Sequence, residues 1–145
     1  MLIIIGETNA AGLFGKIFPE TELIHTWNSI EINAPNAVVI AKNGAPEVTN
    51  ALGVIVGESA EHSVKRGVQL IVCGNSPKNT VCITSRTADK ITLALNRALK
   101  TKNGVCEPLE IPLSFLDGFN EFDYMAAFAA AVLFQSEIKD QFLSL

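Results

Sequence analysis

Short apolar runs recur along the first part of the chain: Leu2 to Ile5, Leu23 to Trp27, Ala37 to Ala41, Gly53 to Val56, Gln69 to Cys73 and Thr80 to Ile83. Each is rich in Ile and Val and continuous rather than alternating, the pattern of central strands covered on both faces. The spacing predicts an α/β domain with a mainly parallel sheet. Helical connectors are expected at Pro46 to Leu52, where proline suits a first helical position, and at Ser59 to Arg66. In the second, Ser59 caps the N-terminus, Glu61 stands in the first turn and Gly67 stops the helix. Trp27 to Asn36 reads as loop, and no internal repeat or low-complexity linker stands out.

From Lys90 the pattern changes. Ile91, Leu93, Leu95 and Leu99 alternate with Thr92, Ala94, Asn96 and Ala98, the period of a half-buried strand. Asn103-Gly104 suits a type I′ turn, and Val105 to Phe115 returns as a second extended run, so a β-hairpin is expected. Pro108 and Pro112 lack the N–H for a ladder, which puts the return strand at an edge or gives it bulges. A helix over Ile91 to Lys100 is the competing reading, because Leu, Ala, Arg and Lys favour helix. After Gly118, Asn120 is a good N-cap, Glu121 and Asp123 favour the positive end of a helix dipole, and Met125 to Phe134 is Ala-rich and almost wholly apolar. Such a helix is buried all round. The tail from Gln135 to Leu145 continues at helical spacing through Ile138, Phe142 and Leu145, and is a candidate cover for the domain or dock for another subunit.

Composition narrows the classes. At 145 residues the chain fits one domain, residues 1–145. Its hydrophobic content of 48%, charged content of 18% and mean hydropathy of +0.30 fit strands buried on both faces or a covered subunit surface. The formal charge is −4 and the 11 Lys and Arg form no basic run, so no nucleic-acid footprint is expected. Cys73, Cys82 and Cys106 are odd in number and lack C-x-x-C spacing, which points to free thiols in a reducing compartment. There is no basic n-region, and the longest apolar run, Tyr124 to Phe134, is shorter than the roughly 20 residues a membrane helix needs. A cytoplasmic protein without membrane contact is the expectation.

Candidate chemistry concentrates at two loops. The run Leu2 to Ile5 empties into Gly6-Glu7-Thr8-Asn9-Ala10-Ala11-Gly12, the strand, small-residue loop and helix of a phosphate cradle. A G-x-x-x-x-G-K-[ST] loop needs a cation on the phosphates and a hydroxyl on magnesium, but Gly12 and Leu13 occupy those places. Lys16 does not substitute, since Gly15-Lys16-Ile17 lacks the hydroxyl and Phe14 intrudes. Gly6, Thr8 and Asn9 therefore stand either for a residual anion site built on backbone N–H groups or for a plain strand-to-helix turn. The second loop, Cys73 to Thr80, lies where a parallel strand ends, the edge at which open α/β sheets bind ligands. Asn75, Ser76 and Lys78 are its candidate ligand contacts, although any tight turn uses similar residues. Cys73 has no histidine near it in sequence, so an inert buried thiol is expected. His62 reads as a surface residue and His25 as a satisfied imidazole beside Trp27. Without further ligands at metal spacing, the two histidines make no zinc site.

The segment Gly118-Phe119-Asn120-Glu121-Phe122-Asp123-Tyr124-Met125-Ala126-Ala127, following a two-stranded excursion, resembles the end of the central domain of the Mur ligase family. That family joins amino acids to cell-wall precursors, or glutamates to folates, with ATP, and its motif there is like G-x-H-N-x-x-N-x-x-A-A. Asn120, Ala126 and Ala127 hold their spacing; Phe119 replaces the His, Asp123 replaces the second Asn, and the Gly is displaced by one position. Gly53 to Glu61 and Gln69 to Ser85 look like the family's two strands near the nucleotide. Thr8 and Asn9 match the T-G-T-N-G-K-T-T loop, whereas Ala10, Ala11, Gly12 and Leu13 replace its Gly, Lys and both Thr. The family's substrate domain, its amino-acid domain and a D-H-L-D-like segment are not found in the 145 residues.

The resemblance implies a central-domain frame whose ATP and magnesium binding is lost. The expected fold is three-layer α/β, with a mainly parallel sheet, an appended β-hairpin and a buried C-terminal helix. The expected function is a non-catalytic binding or scaffold protein related to cell-wall metabolism. It would have no cofactor or metal, ligand contacts at Gly6, Thr8, Asn9, Asn75, Ser76, Lys78 and Asn120, and a homo-oligomeric or protein partner on the C-terminal helix and tail. The alternative is a small enzyme or sensor that binds a nucleotide or metabolite at the strand carboxyl ends.

Overall fold

The computed structural model describes residues 1–6, 10–27, 31–65, 67–114 and 120–135. Among these, the apolar runs become strands β1 (Leu2–Ile5), β2 (Leu23–Thr26), β4 (Val38–Ala41), β6 (Gly53–Gly57), β8 (Leu70–Cys73) and β9 (Val81–Arg86). Between them lie α1 (Ala11–Ile17), β3 (Ile32–Asn33), β5 (Gly44–Asn50) and β7 (Glu61–Val64). The chain ends in β10 (Lys90–Leu95), β11 (Leu99–Lys100), β12 (Val105–Cys106), β13 (Leu109–Ser114) and α2 (Glu121–Phe134).

The main sheet has eight described strands in the order β13-β10-β9-β8-β6-β4-β1-β2. From β2 to β9 every pairing is parallel; β10 runs antiparallel to both β9 and β13. The domain is mixed α/β with a mostly parallel sheet, as the apolar runs imply.

The connectors depart from expectation. Where helices are expected at Pro46 to Leu52 and Ser59 to Arg66, the chain forms β5 and β7, and the expected loop at Trp27 to Asn36 contains β3. These three strands make a second parallel sheet, β3-β5-β7, with Ile32 opposite Val48 and Val48 opposite Val64. Residues 32–73 thus wind back and forth between the two sheets, so that β4, β6 and β8 stack in one and β3, β5 and β7 in the other. Two forces override local helix signals. Ile32 and Val48 are buried against the large sheet with Val64 packed beside them, and the ladder satisfies backbone groups that a helix would have satisfied internally. Pro46 is tolerated because the register shifts between Ala45 and Glu47, which leaves it out of the pairing.

Alternation sorts the strand side chains between two cores. Ile3, Val39, Val54 and Val56 join Ile32 and Val48 in one cluster; Leu2, Ile4, Val38, Ile40, Ile55 and Ile71 join α1 and α2 in the other. Central strands therefore need apolar residues at consecutive positions, which is why the runs do not alternate.

The hairpin is present but not appended. β10 and β13 are strands of the main sheet, with Ile91 opposite Leu113, and β13 with Pro112 is its terminal strand, consistent with a proline at an edge. β11 and β12 close the hairpin as a separate two-stranded ladder. Neither Asn103 nor Gly104 has a positive φ, so the expected type I′ turn is not formed. The Thr101 N–H and hydroxyl both donate to the Gly104 carbonyl, at 2.7 and 3.0 Å, and close a wider loop.

α2 meets its expectation closely. The Asn120 side chain accepts from the Asp123 N–H at 3.0 Å, and the Asp123 carboxylate accepts from the Asn120 N–H at 3.0 Å, a reciprocal capping box. Every residue from Phe122 to Leu133 is buried within its own chain. The tail beyond Gln135 lies outside the described residues. Close approach is possible at Gly53, where a Cβ would stand 2.7 Å from a methyl of Leu133. Among the described residues no helix is long and apolar enough to cross a membrane.

Candidate ligand site at the strand carboxyl ends

The loop after β1 offers little to an anion in its described part. Gly6 has a φ of +90°, its N–H donates to the Thr26 carbonyl at 2.9 Å, and its own carbonyl accepts from His25 Nε2 at 2.7 Å. Both backbone groups are therefore used within the β1–β2 edge. Thr8 and Asn9 lie outside the described residues. α1 begins without a side-chain cap and buries Leu13, Phe14 and Ile17 in the core. Phe14 is buried and lines a small hollow with Lys42, Asn120 and Phe122.

A larger cavity, about 310 Å³, opens at the carboxyl ends of β4, β6 and β8. Three successive turns build it: Lys42-Asn43 after β4, Glu58-Ser59 after β6 and Gly74-Asn75 after β8; the start of α2 supplies Glu121, Phe122 and Met125. The stacking follows from the winding of the chain, because each strand–turn unit is laid beside the previous one. Glycines permit the closeness. The Gly57 N–H donates to the Lys42 carbonyl at 3.1 Å, and a Cβ on Gly57 would stand 2.9 Å from that oxygen. A Cβ on Gly74 would fall 2.4 Å from both Asn79 Nδ2 and Glu58 Oε2.

The turn after β8 is held by buried polar groups. Asn79 is buried; its amide donates to Glu58 at 3.0 Å, and its carbonyl accepts from Asn96 at 3.0 Å. Thr80 accepts from the Val72 N–H at 3.2 Å. These bonds fix the Glu58 carboxylate at the cavity while satisfying groups that would be costly to bury alone. Asn75 lines the cavity. Ser76 and Lys78 instead serve the turn: Ser76 Oγ accepts from the Lys78 N–H at 3.4 Å, and the Lys78 carbonyl accepts from Arg97 at 2.7 Å. Asn120 caps α2 and borders the smaller hollow.

The cavity mixes charge with an apolar wall. The Lys42 ammonium lies 5.8 Å from the centre of the Phe122 ring, within cation–π range, and its charge favours the ionised form of Asp123 nearby. Glu121 is paired with Arg86 from β9. Cys73 reaches the cavity wall, where burial pushes its thiol far above the ordinary cysteine range and disfavours the thiolate. Among the described residues no histidine lines the cavity, and no three His, Cys, Asp or Glu side chains gather as a metal site.

Lys42, Asn43, Glu58 and Ser59 are the site residues that residue-by-residue reading misses. A signal exists: Ala37–Asn43, Gly53–Ser59 and Gln69–Asn75 are spaced by sixteen residues, each an apolar run ending in a small polar turn. Aligning the three places 43, 59 and 75 together.

Asp123 carries a pH-dependent consequence. Burial raises its carboxyl above the ordinary aspartate range, against the lowering effects of the Asn120 backbone bond and Lys42. An acid with a raised folded-state pKa contributes most to stability below its unfolded pKa, and that contribution is lost as pH rises through the folded value. Asp123→Asn keeps an oxygen acceptor for the Asn120 N–H and removes the titration. The variant is expected to gain stability relative to the parent as pH rises from the acid side through the raised value, then to hold a constant difference. Urea unfolding over a pH series reads this, and a difference that shrinks with rising pH contradicts it.

A search of protein-family models and of curated proteins finds no match to the chain.

Proposed function

We propose that this chain is a non-catalytic binding domain that takes a small polar metabolite, a nucleotide or sugar-nucleotide in the first instance, at the carboxyl ends of β4, β6 and β8. The observation that carries the reading is the 310 Å³ cavity formed by three stacked turns and closed by the start of α2. Open α/β sheets bind ligands at this edge, and a volume of this size falls within the range of small-molecule sites. Lys42 supplies a cation, Asn43, Ser59 and Asn75 supply hydrogen-bonding groups, and Phe122 supplies an aromatic wall.

In this reading the frame is a three-layer relative of the Mur ligase central domain, with α1 and α2 over one face of the large sheet and β3-β5-β7 over the other. Its phosphate loop lacks the lysine and hydroxyls, and the Gly6 N–H is already bonded, which supports binding without turnover. A cytoplasmic role near cell-wall metabolism rests on the resemblance carried by Thr8, Asn9, Asn120, Ala126 and Ala127.

Thermal-shift titration with ATP, UMP and UDP-N-acetylglucosamine, together with a phosphate-release assay containing ATP and magnesium, tests the proposal. A saturable shift with at least one compound is expected, without phosphate release. Lys42→Met should weaken that binding by about tenfold or more, the scale of one charge-assisted contact, whereas Lys78→Ala should leave it unchanged. A flat response to all three compounds, or magnesium-dependent turnover, contradicts the reading.

A further inference from the structure

The two edges of the large sheet are built differently. β13, at one edge, carries Glu110 and Pro112, both of which discourage another strand from pairing. β2, at the other, is Leu23-Ile24-His25-Thr26 followed by Trp27, with neither a charge nor a proline. Of the four exposed large apolar side chains among the described residues, Met1, Ile24 and Trp27 belong to this β1–β2 end and only Val105 does not. Trp27 is 64% exposed and Ile24 is 36% exposed.

The ladder shows which backbone groups face outward. Leu2 N–H donates to the Glu22 carbonyl and Gly6 N–H to the Thr26 carbonyl, so positions 22, 24 and 26 turn their backbone toward β1. The N–H and C=O of Leu23 and His25 consequently point away from the sheet.

We propose that β2 is a self-association edge, on which a second copy of this chain adds its own β2 antiparallel and joins the two large sheets about a two-fold axis. Centring the pairing on His25 places the two outward-facing His25 backbones opposite each other, Leu23 opposite Trp27 and Ile24 opposite Thr26. This register uses all five uncharged residues and matches outward backbone with outward backbone. It also covers Trp27 and Ile24, and it keeps the two Glu22 carboxylates at opposite ends of the pairing. A parallel in-register pairing would set Glu22 against Glu22 and is disfavoured. His25 and Trp27 stack within each copy, with ring centres 4.9 Å apart, which holds Trp27 on the face where the partner's Leu23 arrives.

The test uses the full chain, in which Trp27 is the single tryptophan and thus a direct reporter. Sedimentation velocity from low to high micromolar concentration should show monomer passing to dimer. Over the same range Trp27 emission should shift to the blue, and the Leu23 and His25 amides should gain protection from hydrogen exchange. Ile24→Lys should weaken association by about tenfold or more while retaining the native circular dichroism spectrum. Trp27→Lys, at the more exposed position, is the second variant and should do the same. The proposal is overturned by a monomer at every concentration, or by a dimer that both folded variants leave intact. Protection of Leu23 and His25 that persists in the dilute monomer also overturns it, because a segment of the same chain would then occupy the edge.

Discussion

Phe128→Ala is expected to lower the free energy of unfolding by about 3–5 kcal/mol, the cost of emptying a fully enclosed aromatic site. Phe128 lies in the middle of α2 with no exposed surface, in the core shared by α1, α2 and one face of the large sheet. α2 has apolar residues on every side, so it has no alternative face to present when one contact is lost. Its position is also fixed: Gly53 admits the Leu133 methyls from below, and the Asn120–Asp123 box sets where the helix starts. The surroundings can therefore collapse only partly into the cavity. The measurement is the urea midpoint with the slope unchanged. Val105→Ala is the control, since Val105 is 59% exposed, and should stay within about 0.5 kcal/mol. A Phe128→Ala loss no larger than the control's would mean that α2 is not seated as described.

The second large effect is expected at Gly57, and it links stability to the site. Its Cβ would meet a main-chain oxygen, the Lys42 carbonyl, at 2.9 Å. A side chain can rotate out of the way, but this oxygen accepts the Gly57 N–H and cannot move without parting the first two turns. Gly57→Ala should cost about 1–3 kcal/mol, the usual penalty for overpacking, and should also reduce ligand binding at the cavity. Gly15→Ala is the matched control. Gly15 lies in α1 with open space where its Cβ would project, so alanine there should be neutral or stabilising by up to about 1 kcal/mol. If Gly57→Ala behaved like Gly15→Ala, the close stacking of the turns would be wrong.

The central strands β1, β4 and β6 were legible because each buries several consecutive apolar residues, and Val38–Ala41 is buried at every position. α2 was legible because a cap, acidic residues and an Ala-rich apolar run agree at one place. The alternation of Ile91, Leu93 and Leu95 identified β10 against a helical alternative that composition alone favours. β5 and β7 were not legible. Each contributes essentially one anchoring apolar residue, Val48 or Val64, while Pro46 and Ser59 supply plausible helix starts. What makes them strands is pairing at a distance of about sixteen residues, from Ile32 to Val48 to Val64, which a local window does not see.

The site divides along the same line. Asn75 was visible as a residue just after a strand, whereas Glu121 read only as part of a helix start. Lys42 and Glu58 are exposed polar turn residues whose local sequence is that of any solvated turn, and only the winding of the chain brings them to one cavity. Lys78, an attractive cation in sequence, contributes its backbone to the turn instead.

Amide chemical-shift mapping of the isotope-labelled chain, titrated with ATP, UMP and UDP-N-acetylglucosamine, reads whether the three stacked turns form a ligand site. Saturable shifts are expected for at least one of them, concentrated at Lys42-Asn43, Glu58-Ser59, Gly74-Asn75 and Glu121-Phe122 and lost in Lys42→Met. Shifts concentrated instead around Gly6 and the start of α1, or no saturable shift with any of the three, would contradict it.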